Sequence, residues 1–143
     1  MDVIDKELSR AFRSKNIRMT RQRRAILGVL RSTDLHPTAD WIYEKVREIL
    51  PNISLGTVYR NLNILKEHEL LRELNYSDEV SHFDGNAENH YHFICQNCKR
   101  IFDIDEPVDI QLDRRISSKT GFEIDHHRLE FYGICPNCKD LPY

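Results

Sequence analysis

The sequence lacks any apolar run that approaches the roughly 18 residues needed to cross a bilayer. Its first ten residues, MDVIDKELSR, are charged too evenly to contain the apolar core of a signal peptide. It also lacks internal repeats, beyond a doubled CxxC, and low-complexity segments. With 40% hydrophobic and 31% charged residues, its composition is typical of a globular protein. We therefore expect a cytoplasmic protein without a membrane partner.

Acidic residues are absent from residues 8–33, a segment that holds eight lysines and arginines. Residues 1–74 carry 14 basic and 10 acidic residues, whereas residues 75–143 carry 7 and 13. A basic segment of this kind fits either an ordinary solvated surface or a surface that faces nucleic-acid phosphates. Charge alone leaves both interpretations open.

Cysteine is scarce, and its four copies form two CxxC pairs. In a cytosolic protein such cysteines are more often metal ligands or redox thiols than disulfide partners. A thioredoxin-like redox role would need only one pair, whereas four thiolates fill the tetrahedral shell of Zn²⁺. The sequence predicts one structural Zn²⁺ per chain, bound by Cys95, Cys98, Cys135 and Cys138.

Helical periodicity dominates the first half of the chain. Predicted helices cover residues 3–14, 20–32, 38–50 and 54–68, with Thr20, Thr38 and Ser54 as N-caps. The predicted core positions of the last two are Ile42, Val46, Ile49, Leu55, Val58, Leu62 and Leu65. Residues 70–84 alternate around Ser77-Asp78, as in a β-hairpin. Three of these four helices followed by a hairpin, with the last two helices joined by a three-residue break, predict a winged-helix domain over residues 1–84.

The fourth predicted helix has a polar face that contains no acid. Thr57, Arg60 and Asn63 share this face, and Tyr59 lies at its edge. Such a face could enter a DNA major groove, or it could be a plain solvent-facing surface.

A polar segment at about residues 85–89 predicts a hinge, and residues 85–143 predict a small α/β domain. Strands are expected at YHFIC, IFDI and within FEIDHHRLEFYGIC, and a helix from about Val108 to Lys119 ends at Gly121. The expected fold class is therefore α+β.

A second candidate metal site combines imidazoles and carboxylates. On a strand, His90 and His92 project from one face, and Asp103 can return to that face from the next strand. An HxH pair by itself is more often a polar strand surface. With His36 and Asp84 the set reaches five hard ligands, which suit Fe²⁺, Mn²⁺, Co²⁺ or Zn²⁺ in five- or six-coordinate geometry. An ion held by all five would fix the angle between the two domains.

The segments HPTAD, TVYRNL, HYHFICQNC, IFD and HHRLEFYGIC resemble, in order and spacing, the ferric uptake regulator (Fur) family. The resemblance extends from about Met19 to Cys138 and implies a homodimeric, metal-dependent repressor that binds double-stranded operator DNA. It implies that Thr57, Tyr59 and Arg60 read the major groove, and that Lys15 or Arg18 contacts the DNA backbone or minor groove. It further implies one regulatory Fe²⁺ or Mn²⁺ per chain, on His36, Asp84, His90, His92 and Asp103.

Within the family the sequence is most similar to the peroxide-stress repressors, which carry Asp at the position of Asp103 where iron regulators usually carry Glu. Hydrogen peroxide is then the implied signal: iron-catalysed oxidation of His36 and His90 would release the metal and the operator. Asn89, Tyr91 and Ile110 replace ligands of a further family site, so His126 and His127 are expected to be structural. Arg60, in contrast, is common in iron regulators.

Three alternatives stay open at this point. The protein could regulate iron or other metal uptake without sensing peroxide. It could be a non-haem iron enzyme built on some of the same ligands, although nothing in the sequence indicates a substrate site, and we expect no enzyme. It could also be a zinc-bound dimerisation module without a regulatory metal.

Overall fold

A computed structural model describes residues 3–75 and 80–139 of the 143-residue chain. The chain divides into two compact units, Met1–Ala87 and Glu88–Tyr143. Helices occupy most of the first unit, and a three-stranded sheet with one long helix forms the second. The fold class is α+β, as predicted.

Four helices build the first unit. They are α1 (Val3–Ser14), α2 (Arg21–Arg31), α3 (Ala39–Val46) and α4 (Leu55–Glu67). The three predicted N-caps are confirmed, because the side chains of Thr20, Thr38 and Ser54 each accept a hydrogen bond from the backbone N–H three residues later. An N-cap of this type contributes about 1 kcal/mol to helix stability. The core of the unit is formed by Leu8, Phe12, Ile26, Leu27, Leu30, Ile42, Val46, Val58, Leu62, Leu65 and their neighbours.

Two predicted core positions are wrong, and both lie at helix ends. Ile49 is 58% exposed because α3 ends at Val46, so the helical spacing that would bury it is interrupted. Leu55 is 36% exposed in the first turn of α4. The link between α3 and α4 is accordingly eight residues long, 47–54, and not three.

A β-hairpin follows α4. Strands β1 (Arg72–Asn75) and β2 (Ser81–Asp84) pair antiparallel, with Arg72 opposite Asp84. The predicted turn at Ser77-Asp78 lies outside the described residues. The loop before α3 is tied to β2, because Phe83 N–H donates to the Pro37 carbonyl at 2.8 Å and Thr38 forms a bridge with His82.

The second unit contains β3 (Tyr91–Cys95), β4 (Ile101–Ile104), α5 (Ile110–Thr120), β5 (Glu130–Gly133) and α6 (Pro136–Lys139). The sheet order is β4-β3-β5, with β4 antiparallel and β5 parallel to β3. Gly121 ends α5 in the left-handed conformation, φ 77°, as expected for a C-cap glycine. The predicted β character of residues 122–135 is confirmed only for β5. None of the described helices combines the length and apolar composition that a bilayer crossing requires.

Candidate metal centres

The four cysteines lie together at one end of the sheet. Cys95 is the last residue of β3, Cys135 follows the parallel strand β5, and Cys98 and Cys138 complete the two CxxC turns. All four are free thiols whose sulfurs lie within 4.8 Å of one another. A Zn–S bond of about 2.3 Å gives a tetrahedron with S–S edges of about 3.8 Å. The Cys98–Cys135 separation of 3.9 Å matches that edge, so the cluster fits a four-thiolate Zn²⁺.

Backbone N–H donors stabilise the thiolate form of Cys95. Burial alone would raise the pKa of Cys95, but hydrogen bonds from the N–H groups of Cys98, Cys135 and Asn97 outweigh it and lower the pKa to about 6. Burial and the neighbouring sulfurs raise the pKa of Cys98 to about 11. A divalent ion bound by the four sulfurs would displace the thiol protons.

Three predicted ligands of the second unit converge on one face of the sheet. His92 on β3 lies directly opposite Asp103 on β4. The Asp103 Oδ1 atom is 3.0 Å from His90 Nε2 and 3.4 Å from His92 Nε2. Two ligand atoms bound at right angles, each about 2.1 Å from one ion, would be about 3.0 Å apart. The separations therefore suit adjacent ligands of a single metal ion.

The tautomer of His90 follows from its hydrogen bonds. Its Nδ1 lies 2.7 Å from the Glu88 carbonyl, which can only accept, so Nδ1 carries the proton. In the neutral ring Nε2 is then a lone-pair acceptor, and it faces the Asp103 carboxylate, another acceptor. Two acceptors at this distance repel each other unless a cation, either a proton or a metal ion, lies between them. A second ring nitrogen anchored to a carbonyl is the usual arrangement of a metal-binding histidine.

The other two predicted ligands belong to the first unit. His36 Nε2 lies 3.3 Å from Asp84 Oδ2, and both side chains are buried. His36 adopts a positive φ of 53°, and its carbonyl is within 2.9 Å of His82 Nδ1 on β2. The Asn86 N–H donates to Asp84 Oδ1 at 2.9 Å and orients the carboxylate. The His36–Asp84 pair is therefore buried and is held in place by contacts within the first unit.

The predicted DNA-contacting residues lie at the surface of the first unit. Tyr59 is 46% exposed, and Arg60, Lys15 and Arg18 are exposed as well. Thr57, half-buried in the first turn of α4, accepts a hydrogen bond from Arg60 Nη2 at 3.1 Å. Lys15 Nζ lies 3.4 Å from Glu69 Oε2, an exposed pair of little energetic weight. Their accessibility suits the predicted role.

A hydrogen-bond network in the second unit was not foreseen in this form from the sequence. The His127 ring lies 2.6 Å from Asp113 Oδ1 through Nδ1 and 2.9 Å from the Tyr91 hydroxyl through Nε2. That hydroxyl also accepts from the Asp109 N–H at 2.8 Å. One proton arrangement satisfies every member: Asp109 N–H to Tyr91, Tyr91 O–H to His127 Nε2, and His127 Nδ1–H to Asp113. This network gives His127 a structural role, whereas His126 is exposed beside Asp125.

Replacing Tyr91 with phenylalanine is expected to destabilise the second unit by about 1–3 kcal/mol. The change leaves both the Asp109 N–H and His127 Nε2 without their hydrogen-bond partner. Asp109 is exposed and His127 is half-buried, so each loss costs about the net worth of one hydrogen bond, roughly 0.5–1.5 kcal/mol, and the two together are of this size. Denaturant unfolding followed by circular dichroism measures the effect. Tyr132→Phe is the matched control, because its ring is 52% exposed and the change should stay within about 0.5 kcal/mol.

Comparison with known proteins supplies the family. The ferric uptake regulator family profile matches residues 14–132. The peroxide-responsive repressor PerR of Staphylococcus aureus is 42% identical over 143 residues, covering 98% of this chain and 97% of that protein. The Campylobacter jejuni peroxide stress regulator superposes with a TM-score of 0.73 at 28% identity, over 96% of this chain and 100% of that chain. Helicobacter pylori Fur shares the fold, with a TM-score of 0.78 at 23% identity over 98% and 94% of the two chains. The chain belongs to the ferric uptake regulator family.

Proposed function

We propose that this protein is a peroxide-responsive transcriptional repressor that acts in the cytoplasm as a metal-loaded homodimer on operator DNA. The observation that carries the proposal is the pairing of a closed four-cysteine cluster with a separate set of hard ligands that includes His90, oriented for metal binding. Relatives that share more than 40% of their residues with this chain bear the name of peroxide-responsive repressors.

We further propose that one Fe²⁺ or Mn²⁺ ion per chain takes His36, Asp84, His90, His92 and Asp103 together. Neither unit by itself offers a full ligand set, because the first contributes one imidazole and one carboxylate and the second contributes two imidazoles and one carboxylate. These ions prefer five or six hard ligands. Binding to both sets would couple metal occupancy to the relation between the DNA-contacting unit and the second unit.

In the proposed mechanism, histidine side chains of the protein would sense peroxide by becoming oxidised themselves. Bound Fe²⁺ would supply the redox chemistry toward hydrogen peroxide, which redox-inert Mn²⁺ would not. His36 and His90 are the proposed oxidation sites, and each would gain one oxygen atom on its imidazole ring. An oxidised ring is a poorer ligand, so the metal affinity would fall and the operator would be released. No turnover follows, and the protein is accordingly not proposed to be an enzyme.

The cysteines are unsuited to the sensing role. In a closed four-thiolate shell each sulfur shares its charge with Zn²⁺, which blunts its reactivity toward oxidants. Cys95 and Cys135 are also buried. In this proposal the zinc stabilises the fold of the second unit, and the histidines respond to peroxide.

Homodimer formation is supported by apolar surface on the second unit. Helix α5 buries no residue, with Ile110 59% and Ile116 37% exposed. On the edge strand β5, Phe131 is 47% and Tyr132 is 52% exposed. An exposed edge strand beside exposed apolar side chains favours association with a second copy.

The experiment that tests the proposal compares Fe²⁺- and Mn²⁺-loaded protein before and after peroxide treatment. DNA binding is measured by mobility shift, and added oxygen is located by peptide mass spectrometry. We expect the Fe²⁺ form to lose DNA binding and to gain oxygen at His36 and His90, and the Mn²⁺ form to be unaffected. Oxygen on cysteine alone, with both histidines intact, would contradict the mechanism.

A regulator of metal uptake is the second candidate, and Asp103 separates the two. Replacing Asp103 with glutamate moves the carboxylate outward by one methylene from its position near His90 and His92. We expect metal-dependent DNA binding to persist and peroxide-driven oxidation of the Fe²⁺ form to slow, by about tenfold if the altered ligand geometry costs the reaction 1.4 kcal/mol. If the wild-type protein itself ignores peroxide, the metal-uptake interpretation is preferred.

The remaining alternatives predict different outcomes of the same measurements. A non-haem iron enzyme should show no metal-dependent, salt-sensitive DNA binding. Two surface grooves of about 440 and 430 Å³ are lined by residues between Asp5 and Ile53, and no proposed ligand lines either groove. A dimerisation module without a regulatory metal should retain one zinc and no other metal after anaerobic iron loading.

A further inference from the structure

Arg23, on α2, joins two segments that are far apart in the sequence. Its Nη1 donates to the Arg18 carbonyl at 2.9 Å, and its Nε donates to Asn61 Oδ1 on α4 at 3.2 Å. Its backbone N–H donates to the N-cap Thr20 at 3.1 Å. The backbone of Arg23 is thus fixed at the start of α2, and its guanidinium bridges the loop before α2 to the middle of α4.

Asn61 transmits this bridge to the first turn of α4. It is 6% exposed, unusual for an asparagine in a helix interior. Its Nδ2 donates to the Thr57 carbonyl at 3.0 Å while its Oδ1 accepts from Arg23. A buried amide is tolerated only when its polar atoms are hydrogen-bonded. Because Asn61 bonds to both groups, the Arg23 guanidinium and the Thr57 carbonyl are held at a fixed distance from each other.

The two bridged segments carry residues for which we propose DNA contacts, Arg18 on one side and Thr57, Tyr59 and Arg60 on the other. We propose that Arg23 is a positioning residue for DNA recognition, which fixes the spacing between the Arg18 loop and the reading face of α4. This inference rests on the proposed DNA-binding function. Arg23 acts through its two protein acceptors, and its charge is directed at the Arg18 carbonyl and at Asn61 rather than at a phosphate.

Lysine cannot replace this side chain, although it keeps the charge. A guanidinium presents donors in a fixed planar fork, whereas an ammonium is a single point that cannot span two acceptors in the same directions. Arg23→Lys is therefore expected to loosen the spacing while leaving the net charge of the basic segment unchanged. Arg24→Lys is the matched control, since Arg24 is adjacent on α2 and its partner Asp5 can pair equally with an ammonium.

The test uses full-length, zinc- and Mn²⁺-loaded protein and a duplex that the wild type selects from a random library. We expect Arg23→Lys to bind this duplex about tenfold more weakly, to bind an unrelated duplex as the wild type does, and to keep the wild-type salt dependence. Arg24→Lys should match the wild type in all three. Equal weakening on both duplexes, with the salt slope reduced by about one, would mean that Arg23 contacts a phosphate and would overturn the inference.

A double-mutant cycle with Asn61→Leu provides a second test of the inference. Asn61→Leu removes the same bridge from the α4 side, so the double variant should be no weaker than the weaker single variant. Additive losses would show that the two residues act separately and would overturn the inference.

Amide hydrogen exchange gives a readout that does not depend on DNA. Arg23→Lys should speed exchange at Val58 to Leu62 and in the loop around Arg18, with the thermal midpoint of the second unit unchanged. Wild-type exchange at both places would overturn the inference even if the protein proved not to bind DNA. Absence of metal-dependent DNA binding in the wild type would refute the proposed function and, with it, the role of Arg23 in DNA recognition. The exchange result would still show whether Arg23 fixes the loop around Arg18 against α4, so the two failures can be told apart.

Discussion

Replacing Cys95 with serine is expected to remove the bound zinc and to abolish the cooperative unfolding transition of the second unit. Structural Zn²⁺ sites contribute on the order of 10 kcal/mol of apparent binding free energy, which is also folding free energy. The second unit has little else to rely on, because its buried apolar side chains are few and the main core cluster lies in the first unit. Small domains of this size commonly need such a metal.

Zinc content per chain measures the loss of the metal, and near-ultraviolet circular dichroism measures the unfolding transition of the second unit. The first unit should keep its helical signal, because the core formed by its described residues extends from Leu8 to Phe83 and includes none of the second unit. Gln96→Ala in the same turn is the control, since its structural contact is a backbone N–H bond to the Gly133 carbonyl at 2.7 Å, which the change keeps. A zinc-free Cys95→Ser protein with an unchanged unfolding transition would show that the cluster is not the structural centre of the unit.

Replacing His92 with alanine is expected to weaken Fe²⁺ and Mn²⁺ binding by roughly 100-fold or more and to abolish metal-dependent DNA binding. Outer partners of metal ligands already account for 10- to 100-fold effects, and a direct ligand should count for more. His92 is 1% exposed on β3, and its Nε2 lies 3.4 Å from the Asp103 carboxylate. Its loss would leave that carboxylate with one imidazole in the unit instead of two.

Calorimetric titration of the zinc-loaded, iron-free variant with Mn²⁺ measures the first effect, and mobility shift measures the second. His126→Ala is the matched control, because this histidine of the same unit is exposed and pairs with the adjacent Asp125. It should retain wild-type binding of both metal and DNA. Unchanged zinc content in His92→Ala separates ligand loss from general unfolding. Wild-type Mn²⁺ affinity in that variant would refute the proposed ligand set.

Local features of this protein could be predicted from the sequence because they depend on neighbours along the chain. The N-caps Thr20, Thr38 and Ser54 act on amides three residues away, and the end of α5 at Gly121 depends on a single positive φ. The grouping of each CxxC pair follows from its spacing. The facing of His92 and Asp103 follows from strand alternation and a short turn. For these features, sequence distance and spatial distance agree.

Errors arose where a helix end depended on packing. The apolar spacing of residues 42–49 favours a longer α3, yet the helix ends at Val46, and Ile49 faces outward. Helix propensity is a weak preference of a few tenths of a kcal/mol per residue, and the tertiary environment of the last turn outweighs it. Leu55 differs, because α4 begins where it was predicted and the 36% exposure of this side chain reflects its place in the first turn of the helix.

The sequence by itself determined the ligand chemistry, namely four soft thiolates in two turns and a hard mixed set of imidazoles and carboxylates. Only the tertiary structure decided that the predicted meeting of the two CxxC pairs is achieved by parallel pairing of β3 and β5, which brings Cys95 and Cys135 together across 40 residues. It also decided that His127 contacts Tyr91 and Asp113, and that Arg23 reaches Asn61. These contacts join residues separated by 14 to 40 positions, and no local pattern encodes them. They form because chain segments that bury their apolar faces together bring the polar groups beside those faces within hydrogen-bonding distance.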